Sequence, residues 1–541
     1  LLLRLLPYCV QPGILSPTLR DWLATSLTLL WVLHPVQTEC VLYITQRSEQ
    51  FSMLFMVLTF YCLIRGHTHR RWLILSVLSC TVGMLFKQNA AVFPIILVLF
   101  DRALLTGSFK QTFKLRGKFY LLTTAVTWSI SAIILVYTPN PKSVGTHLGV
   151  SSWEYLITQS QVILWYLRNC FWPTGLSLVY DWPIVKSFSQ VIPEFLSVSS
   201  LFALSCYCLW KYPKLGVGFF SVFLLLGPTS SVLPMASEVA ADRRLSLISI
   251  FLLVTAVLLL LNTLASLPRV KRYAAILTLS VTILGCAIFS LMTAKLSTFY
   301  GNPVALWTHT IDQSPWPKGA WLFLGEYFDS QNELAPAWQC YTNTLKYDSH
   351  FTLSYLNLAT VNLKLNRYPQ AIHFLEKVTH DPALETEALQ YLGIAYKNQK
   401  MYDKAITYFQ KAHTQAPDRY DFALNLARVY NLKKHHPQAR EILEQTAQIH
   451  SNNLEVIHEL GFTYSKLNAL DKAGQQYAHY LQLDPNNAMV LNSMGIILAK
   501  TGKIQEAATY FARSLSINPN FEQARENLAN ARSILNTNNA P

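Results

Sequence analysis

Ten ionisable residues stand out because they lie between long apolar runs in the first 250 residues. They are cations, carboxylates and one imidazole: His34, Glu39, Arg47, Glu49, Lys87, Asp181, Glu238, Asp242, Arg243 and Arg244. An ionisable group close to a bilayer costs free energy and usually marks a binding site or a pathway. The same groups could instead cap helix ends at the membrane interface. Because the whole set falls in alternate loops, the pattern favours one polar site.

The apolar runs between these loops have the length of membrane-spanning helices, which need about 20 residues. They cover residues 22–34, 51–64, 72–86, 90–101, 119–137, 191–210, 215–234, 245–263 and 274–294. The runs 72–86 and 90–101 could be two short helices that meet near Lys87, or one long broken helix. We therefore predict a polytopic membrane domain over residues 1–296.

Composition and charge support this assignment. The chain has 541 residues, of which 51% are hydrophobic and only 14% charged, against roughly 25% charged in ordinary soluble domains. Residues 1–300 hold 23 Lys and Arg against 9 Asp and Glu, so the whole net charge of +14 lies in the apolar part. Basic loops beside a membrane explain this excess better than a nucleic-acid surface does. We expect contact with membrane lipid and no nucleic-acid partner.

The basic loops also predict the orientation in the membrane. They lie around Arg70, between Arg102 and Lys118, at 211–214 and at 269–272, and such loops stay on the cytoplasmic side. The ten polar residues, and everything after about residue 296, then lie on the extracytoplasmic side, in periplasm or lumen. The nine cysteines form no paired C-x-x-C motif with a second pair or a histidine cluster, so we expect no metal.

A repeat of 34 residues fills the last 240 residues. Small residues recur at that step at Gly325, Ala359, Gly393, Ala427, Gly461 and Gly495, each followed twelve residues later by alanine. This is the pattern of tetratricopeptide repeats, which are helix-turn-helix units. We predict six units at 318–351, 352–385, 386–419, 420–453, 454–487 and 488–521. A linker at 297–317 precedes them, and a capping helix at 522–536 and a tail at 537–541 follow.

The predicted fold class is therefore all-α, with a membrane helical domain followed by a tetratricopeptide-repeat α-solenoid. Such solenoids form a concave groove whose usual ligand is an extended peptide or a partner helix. The residues predicted to line it lie on the first helix of four units: Asn357, Tyr396, Asn425 and Tyr464.

Six segments together resemble a known family. They are HPVQTE (34–39), YITQRSE (43–49), LFKQNAAVFPIILVLFDR (85–102), LVYDWP (178–183), GPTSSVLP (227–234) and ADRRLSL (241–247). Their order, followed by the repeats, resembles the transmembrane-and-tetratricopeptide-repeat O-mannosyltransferases and their bacterial relatives. The resemblance implies the C-type glycosyltransferase fold, with a polyprenyl-phosphate sugar as donor substrate, no cofactor, and a protein acceptor presented by the repeats.

The resemblance also assigns roles to the polar set. Cations would hold the leaving lipid phosphate: Arg243 and Arg244 in bidentate fashion, with Lys87 and Arg47 as alternatives. The carboxylates Glu39, Glu49, Glu238 and Asp242 would bind sugar hydroxyls or orient the acceptor, with His34 and Asp181 as further polar candidates. The catalytic acid of the fold follows the first spanning helix, whereas this sequence begins at about the second. We therefore expect the chain as it stands to transfer no sugar.

A second hypothesis is a membrane-anchored tetratricopeptide scaffold that recruits partner proteins. A tether needs one spanning helix and no polar residues sorted to one face, so the sequence favours the transferase. The acid expected outside the sequence favours the scaffold.

Overall fold

The computed structural model describes residues 1–43, 47–137, 150–230, 235 and 239–538. Regular secondary structure within these ranges is helical, apart from an isolated antiparallel bridge between Tyr180 and Ala240. The predicted all-α class is therefore confirmed. The chain divides into two compact units, Leu1–Tyr327 and Phe328–Pro541.

The first unit is built from helices that end at turns or at the loop between residues 170 and 191. Its α-helices are α1 (Leu2–Cys9), α2 (Pro17–Val32), α3 (Gln37–Leu42), α4 (Arg47–Arg65), α5 (Arg71–Phe86), α6 (Phe93–Asp101), α7 (Phe109–Tyr137), α8 (Ser152–Asn169), α9 (Ile192–Lys211), α10 (Pro213–Leu226), α11 (Arg243–Ser266), α12 (Ala274–Ser297), α13 (Pro303–Gln313) and α14 (Lys318–Ser330), which ends in the second unit. Short 3-10 helices cover Gln88–Val92, Phe188–Gln190, Lys271–Tyr273 and Thr298–Gly301, and a π-helix covers Arg102–Thr106.

Among the described residues, three helices are long and apolar enough to cross a membrane. They are Ile192–Lys211, Arg243–Ser266 and the continuous helical stretch Lys271–Gly301. They coincide with three of the predicted apolar runs. Ser205 is the only buried residue of α9, and apolar side chains such as Leu196 and Leu204 are exposed, as expected of a helix whose apolar surface faces lipid. Two further predicted runs form shorter apolar helices, Arg71–Phe86 and Pro213–Leu226.

The break near Lys87 is real, so the two-helix interpretation is correct. Helix α5 ends at Phe86, and Lys87 adopts an extended conformation with φ −154° and ψ 130°. A 3-10 turn leads into α6, whose second residue is Pro94. Proline fits the first turn of a helix because its missing N–H has no intrahelical partner there. The break places Lys87 between two helices, where its side chain can leave the apolar surface.

Helix α7 is longer than the predicted run at 119–137 and is kinked at Arg116, where φ is −135° and ψ 18°. The Arg116 guanidinium and the Tyr120 hydroxyl each donate a hydrogen bond to the buried Asp101 carboxylate, both at 2.5 Å. A buried carboxylate needs such partners, because an unpaired charge is strongly destabilising.

Residues 297–317, predicted as a linker, carry the 3-10 turn at Thr298–Gly301 and helix α13. The Asn302 side chain accepts hydrogen bonds from the backbone N–H groups of Val304 and Ala305. Pro303 follows at the first helical position. This N-cap and proline pair is a standard helix start, and the sequence analysis overlooked it.

The second unit consists of antiparallel helix pairs. Its helices are α15 (Leu334–Tyr347), α16 (Thr352–Lys364), α17 (Tyr368–Val378), α18 (Glu385–Asn398), α19 (Tyr402–Gln415), α20 (Tyr420–Leu432), α21 (His436–Ile449), α22 (Leu454–Lys466), α23 (Leu470–Leu483), α24 (Ala488–Lys500), α25 (Ile504–Ile517) and α26 (Glu522–Asn538). The small residues allow the two helices of a pair to approach. A Cβ at Gly393 would lie 2.5 Å from the Phe409 ring, and one at Gly495 would lie 2.5 Å from the Phe511 ring.

A second 34-residue periodicity appears in the backbone. The turn between the two helices of each repeat holds one residue with positive φ, at Asn332, Asn366, Lys400, Lys434, Asn468 and Gly502. Asparagine and glycine tolerate this left-handed conformation, whereas for most other residues it costs free energy. Lys400 and Lys434 therefore adopt a backbone conformation that is unfavourable for a residue with a side chain.

Candidate functional site

The carboxylate of Glu39 binds the start of α11. Its Oε2 accepts a hydrogen bond from the backbone N–H of Arg243 at 3.1 Å, and its Oε1 lies 3.3 Å from Nη1 of the same arginine. Both side chains are largely buried. The first N–H groups of a helix have no intrahelical acceptor and carry partial positive charge. Glu39 therefore satisfies the helix terminus and the guanidinium together.

Asp242 connects this helix start with the long loop. Its Oδ2 accepts from the backbone N–H of Ser177 at 2.9 Å, and its Oδ1 accepts from the Tyr180 hydroxyl at 2.8 Å. The bridge between Tyr180 and Ala240 keeps the two segments side by side. Two of the recognised segments, LVYDWP and ADRRLSL, therefore meet at one buried carboxylate.

The segment HPVQTE contributes a further contact to α11. The Ser246 hydroxyl donates to Oε1 of Gln37 at 2.5 Å, and the Trp31 indole N–H donates to the Ser246 carbonyl at 3.0 Å. Helices α2 and α3 are thus hydrogen-bonded to the first turn of α11.

Burial controls the protonation of the two carboxylates. It raises the pKa of Glu39 to about 6, against the opposing effect of Arg243. It also raises the pKa of Asp242 well above its usual range, and the nearby charge of Glu39 adds to this rise. Hydrogen bonds from Tyr180 and Ser177 oppose it. Asp242 therefore stays protonated to a higher pH than an exposed aspartate does.

Glu39 and Asp242 line a small cavity together with Ser177, Tyr300 and His309. Its free space suits roughly one water molecule. A wider cleft of about 290 Å³ contacts the same His309, and its lining includes Gly175 and Lys295. Neither Tyr300 nor His309 was predicted from the sequence as a site residue. Neither lies in a recognised segment.

A second ion pair involves Lys87. Its Nζ lies 2.6 Å from Oε1 of Glu49, whose side chain is buried. The charge of Glu49 contributes to the raised pKa of Glu39, so the two pairs are electrostatically coupled. Arg47, at the start of α4, is exposed and has no ion pair within the described ranges.

Arg243 and Arg244, which are predicted to hold a phosphate together, have different partners within the described residues. The buried Arg244 guanidinium donates to the backbone carbonyls of Val239 at 3.1 Å and Thr229 at 3.4 Å. The Tyr155 hydroxyl also donates to the Thr229 carbonyl at 2.8 Å. Successive residues of a helix point about 100° apart, so one arginine faces Glu39 and the other faces the loop before α11. The phosphate role of Arg243 and Lys87 stays a prediction.

His34 packs in the core. Its Nδ1 accepts from the backbone N–H of Val36 at 3.2 Å, which leaves the proton on Nε2, 3.2 Å from the Cys170 carbonyl. The ring meets Phe289 edge-on at 4.4 Å. Both ring nitrogens have backbone hydrogen-bond partners, and a role of His34 in the polar site stays a prediction.

Asp181 lies next to Tyr180 but contacts a different element. Its Oδ2 accepts from the backbone N–H of Gly319 at 2.6 Å, in the first turn of α14. Neighbouring residues of an extended segment face opposite sides, so Tyr180 reaches Asp242 while Asp181 caps a helix. Glu238 lies outside the described residues.

Two of the four predicted groove residues pack between helices. Tyr396 is buried and stacks on Tyr408 of the same repeat at 5.4 Å. Tyr464 is also buried, and its hydroxyl donates to Glu444 at 2.6 Å. Both follow the small residue of the repeat by three positions, which turns them towards the second helix. Asn357 and Asn425 are half-exposed and stay candidates.

Comparison with protein families supports the two-part organisation. Residues 13–135 match the family model described as dolichyl-phosphate-mannose-protein mannosyltransferase. Tetratricopeptide-repeat models match residues 356–419, 398–448, 454–487 and 490–521. The chain thus joins a segment that matches the mannosyltransferase family to tetratricopeptide repeats, which confirms the predicted resemblance. A comparison with curated protein sequences finds no match.

Solved structures resemble the chain over about a third of its length. YrrB, described as a tetratricopeptide-repeat protein with an unusual peptide-binding site, is 21% identical; the alignment covers 34% of this chain and 96% of YrrB, with a TM-score of 0.31. PilF of Pseudomonas aeruginosa is 21% identical over 39% of this chain and 97% of its own, with a TM-score of 0.35. MamA of Desulfovibrio magneticus RS-1 is 20% identical over 32% and 97%, with a TM-score of 0.30.

Proposed function

We propose that this protein is an integral membrane glycosyltransferase of the polyprenyl-phosphate-sugar-dependent kind. It transfers the sugar to a protein acceptor that the repeats hold on the extracytoplasmic side. The observation that carries the proposal is the Glu39–Arg243 pair. Glu39 lies inside the region that matches the mannosyltransferase family, and Arg243 opens an apolar helix of spanning length.

The charge balance of the site suits a lipid phosphate. Lys87 and Arg243 are paired with Glu49 and Glu39, so these four charges cancel. Burial favours the neutral form of Asp242, and Arg47 adds one positive charge at the start of α4. The buried Arg244 adds a further positive charge, so these groups are net positive and attract a phosphodiester with one negative charge. Fixed cations at a leaving phosphate stabilise the charge that develops in the transition state.

The other groups suit the sugar and the acceptor. Glu39, Asp242 and the Tyr180 hydroxyl offer acceptors and a donor for sugar hydroxyls, and all three side chains are buried. The lipid chain of the donor stays among apolar helices such as α9, whose exposed side chains suit hydrocarbon. The donor is a substrate, and the proposal includes no cofactor.

Equilibrium binding of radiolabelled polyprenyl-phosphate mannose to the full chain in lipid nanodiscs tests the donor site. The double variant Glu39→Gln/Arg243→Gln removes the pair without leaving a buried lone charge. We expect it to bind the donor about tenfold or more weakly, the scale of a lost charged contact. The double variant Glu49→Gln/Lys87→Gln should weaken binding similarly.

The matched control is Arg168→Gln, because Arg168 is an exposed arginine of α8 whose guanidinium donates to Thr174. It should bind the donor as the unchanged chain does. The donor site would be contradicted if the unchanged chain did not bind the donor. It would also be contradicted if both double variants bound the donor as tightly as the unchanged chain does.

Sugar transfer is a separate measurement. The measurement is the radiolabelled sugar that is transferred to protein. One membrane preparation contains the unchanged chain, and the other contains the chain with the first helix and acidic loop of a relative fused before Leu1. We expect transfer only with the added helix and loop. Transfer by the unchanged chain would also support the transferase, and it would assign the catalytic base to the chain's own carboxylates. If both preparations bind a protein ligand but neither binds the donor or transfers sugar, the membrane-anchored scaffold is favoured.

A further inference from the structure

An open cleft of about 510 Å³ crosses three successive repeats. It is lined by residues of α18, α20 and α22, which are the first helices of these repeats, and by the turn after α18 with the first residue of α19. The lining residues are Lys397, Asn398, Lys400, Tyr402, Arg428, Asn431, Leu432, Glu459 and Phe462. None of the four groove residues predicted from the sequence is among them. We call this surface the inter-repeat cleft.

The cleft has more positive than negative charge. Arg428 lies 3.4 Å from Glu459 and 3.2 Å from Glu455, so its charge is compensated. Lys397 and Lys400 form no ion pair within the described residues. Lys397 is half-buried, and burial together with Arg428 lowers its pKa. Two cations that line the same groove attract an anion.

The rest of the lining offers apolar and amide groups. The side chains of Leu432 and Phe462 are 56% and 36% exposed, and both belong to the lining of the cleft. Asn398 is exposed beside them, and its amide can donate to and accept from a peptide backbone. The side-chain amide of Asn431 donates a hydrogen bond to the Glu459 carboxylate at 2.9 Å. These two lining residues are therefore held in place before a ligand binds.

We propose that the inter-repeat cleft binds an extended protein segment that carries an acidic side chain next to apolar ones. The carboxylate contacts Lys397 and Lys400, and the apolar side chains cover Leu432 and Phe462. This inference rests on the proposed function only in taking protein as the ligand of the repeats. Peptide binding is measured without the sugar donor, so its failure is distinguishable from failure of the transferase.

The test uses the full chain in nanodiscs of zwitterionic lipid and three fluorescent nonapeptides. The acidic probe is Gly-Ser-Leu-Asp-Asp-Leu-Phe-Gly-Ser, and the matched probes replace both aspartates with asparagine or with lysine. Fluorescence anisotropy should show the acidic peptide binding about tenfold tighter than the asparagine peptide. The difference should shrink in about 0.5 M salt, because salt screens exposed charges.

Four variants locate the binding surface. Lys397→Gln should remove the preference for the acidic peptide and leave binding of the asparagine peptide unchanged. Lys397→Glu should favour the lysine peptide, and Phe462→Ala should weaken all three. The control is Lys411→Gln, an exposed lysine of α19 outside the cleft, which should change nothing.

Equal affinity for the three peptides would overturn the proposal, as would an equal effect of Lys411→Gln and Lys397→Gln. Binding of phosphatidylglycerol vesicles in place of peptide, lost in Lys397→Gln, would also overturn it and assign the cleft to lipid.

Discussion

Glu39 and Arg243 are joined twice, once through the guanidinium and once through the backbone N–H that opens α11. The two residues are separated by 204 positions in the sequence. The contact therefore ties the region that matches the mannosyltransferase family to a helix of membrane-spanning length. It also couples the charge of the site to the protonation of one carboxylate.

This coupling predicts a pH dependence of donor binding. Burial raises the pKa of Glu39 from 4.5 to about 6, so Glu39 takes up a proton as the pH falls through about 6 and releases Arg243 from the ion pair. Affinity for the phosphodiester donor should then rise. Because the raised pKa favours the protonated folded state, the contribution of Glu39 to stability is greatest below pH 4.5 and falls up to about pH 6.

The variant Glu39→Gln carries no titrating group and should bind the donor as tightly as the unchanged chain does at low pH, with no inflection near pH 6. The control Asp21→Asn removes an exposed carboxylate paired with Arg20 and should keep the inflection. An inflection that persists in Glu39→Gln would mean that another group, such as His309, controls binding.

The orientation in the membrane is testable with reporter fusions. Gly107 lies in a turn between two basic segments, which should stay in the cytoplasm. Asn302 follows the last spanning helix. Reporters fused after Gly107 and after Asn302 should lie on opposite sides of the membrane, as judged by enzymes active on only one side. The same side for both would contradict the topology.

Packing within the repeats predicts the effect of a larger side chain. Ala405 is fully buried between the helices of its repeat. In a fragment of residues 315–541, which we expect to be soluble and helical, Ala405→Leu should lower the free energy of unfolding by about 1–3 kcal/mol. Chemical denaturation followed by circular dichroism measures this change. Lys411→Leu, on the exposed face of the same helix, should have little effect.

The left-handed turns predict a stabilising substitution. Lys434 is exposed and has φ +63°, a conformation that costs most residues about 1–2 kcal/mol. Lys434→Gly should therefore raise the free energy of unfolding of the same fragment by about 0.5–1 kcal/mol, after the entropy cost of glycine in the unfolded chain. Lys411→Gly, inside a helix, should lower it by about 1 kcal/mol. Equal signs for the two variants would disprove the explanation.

Local patterns were enough for the secondary structure. The 34-residue repeat and the all-α class follow from spacing along the chain, and the lysine at 87 marked a break between two apolar runs. A helix start at Asn302-Pro303 was also present in the sequence, although it was interpreted as part of a linker. These features depend on near neighbours, so a periodic pattern predicts them.

The site depended on the tertiary structure. Arg243 and Arg244 are adjacent and chemically alike, yet one contacts Glu39 and the other contacts the backbone of the loop at 229–239. The sequence identified the polar residues but not the partner of each one. The direction of a helical side chain depends on how its helix is rotated in the packed structure. Its partner is then whichever distant segment packs there. His34, in the turn between α2 and α3, likewise became a core residue because Cys170 and Phe289 pack against it, and Tyr396 stacks on Tyr408.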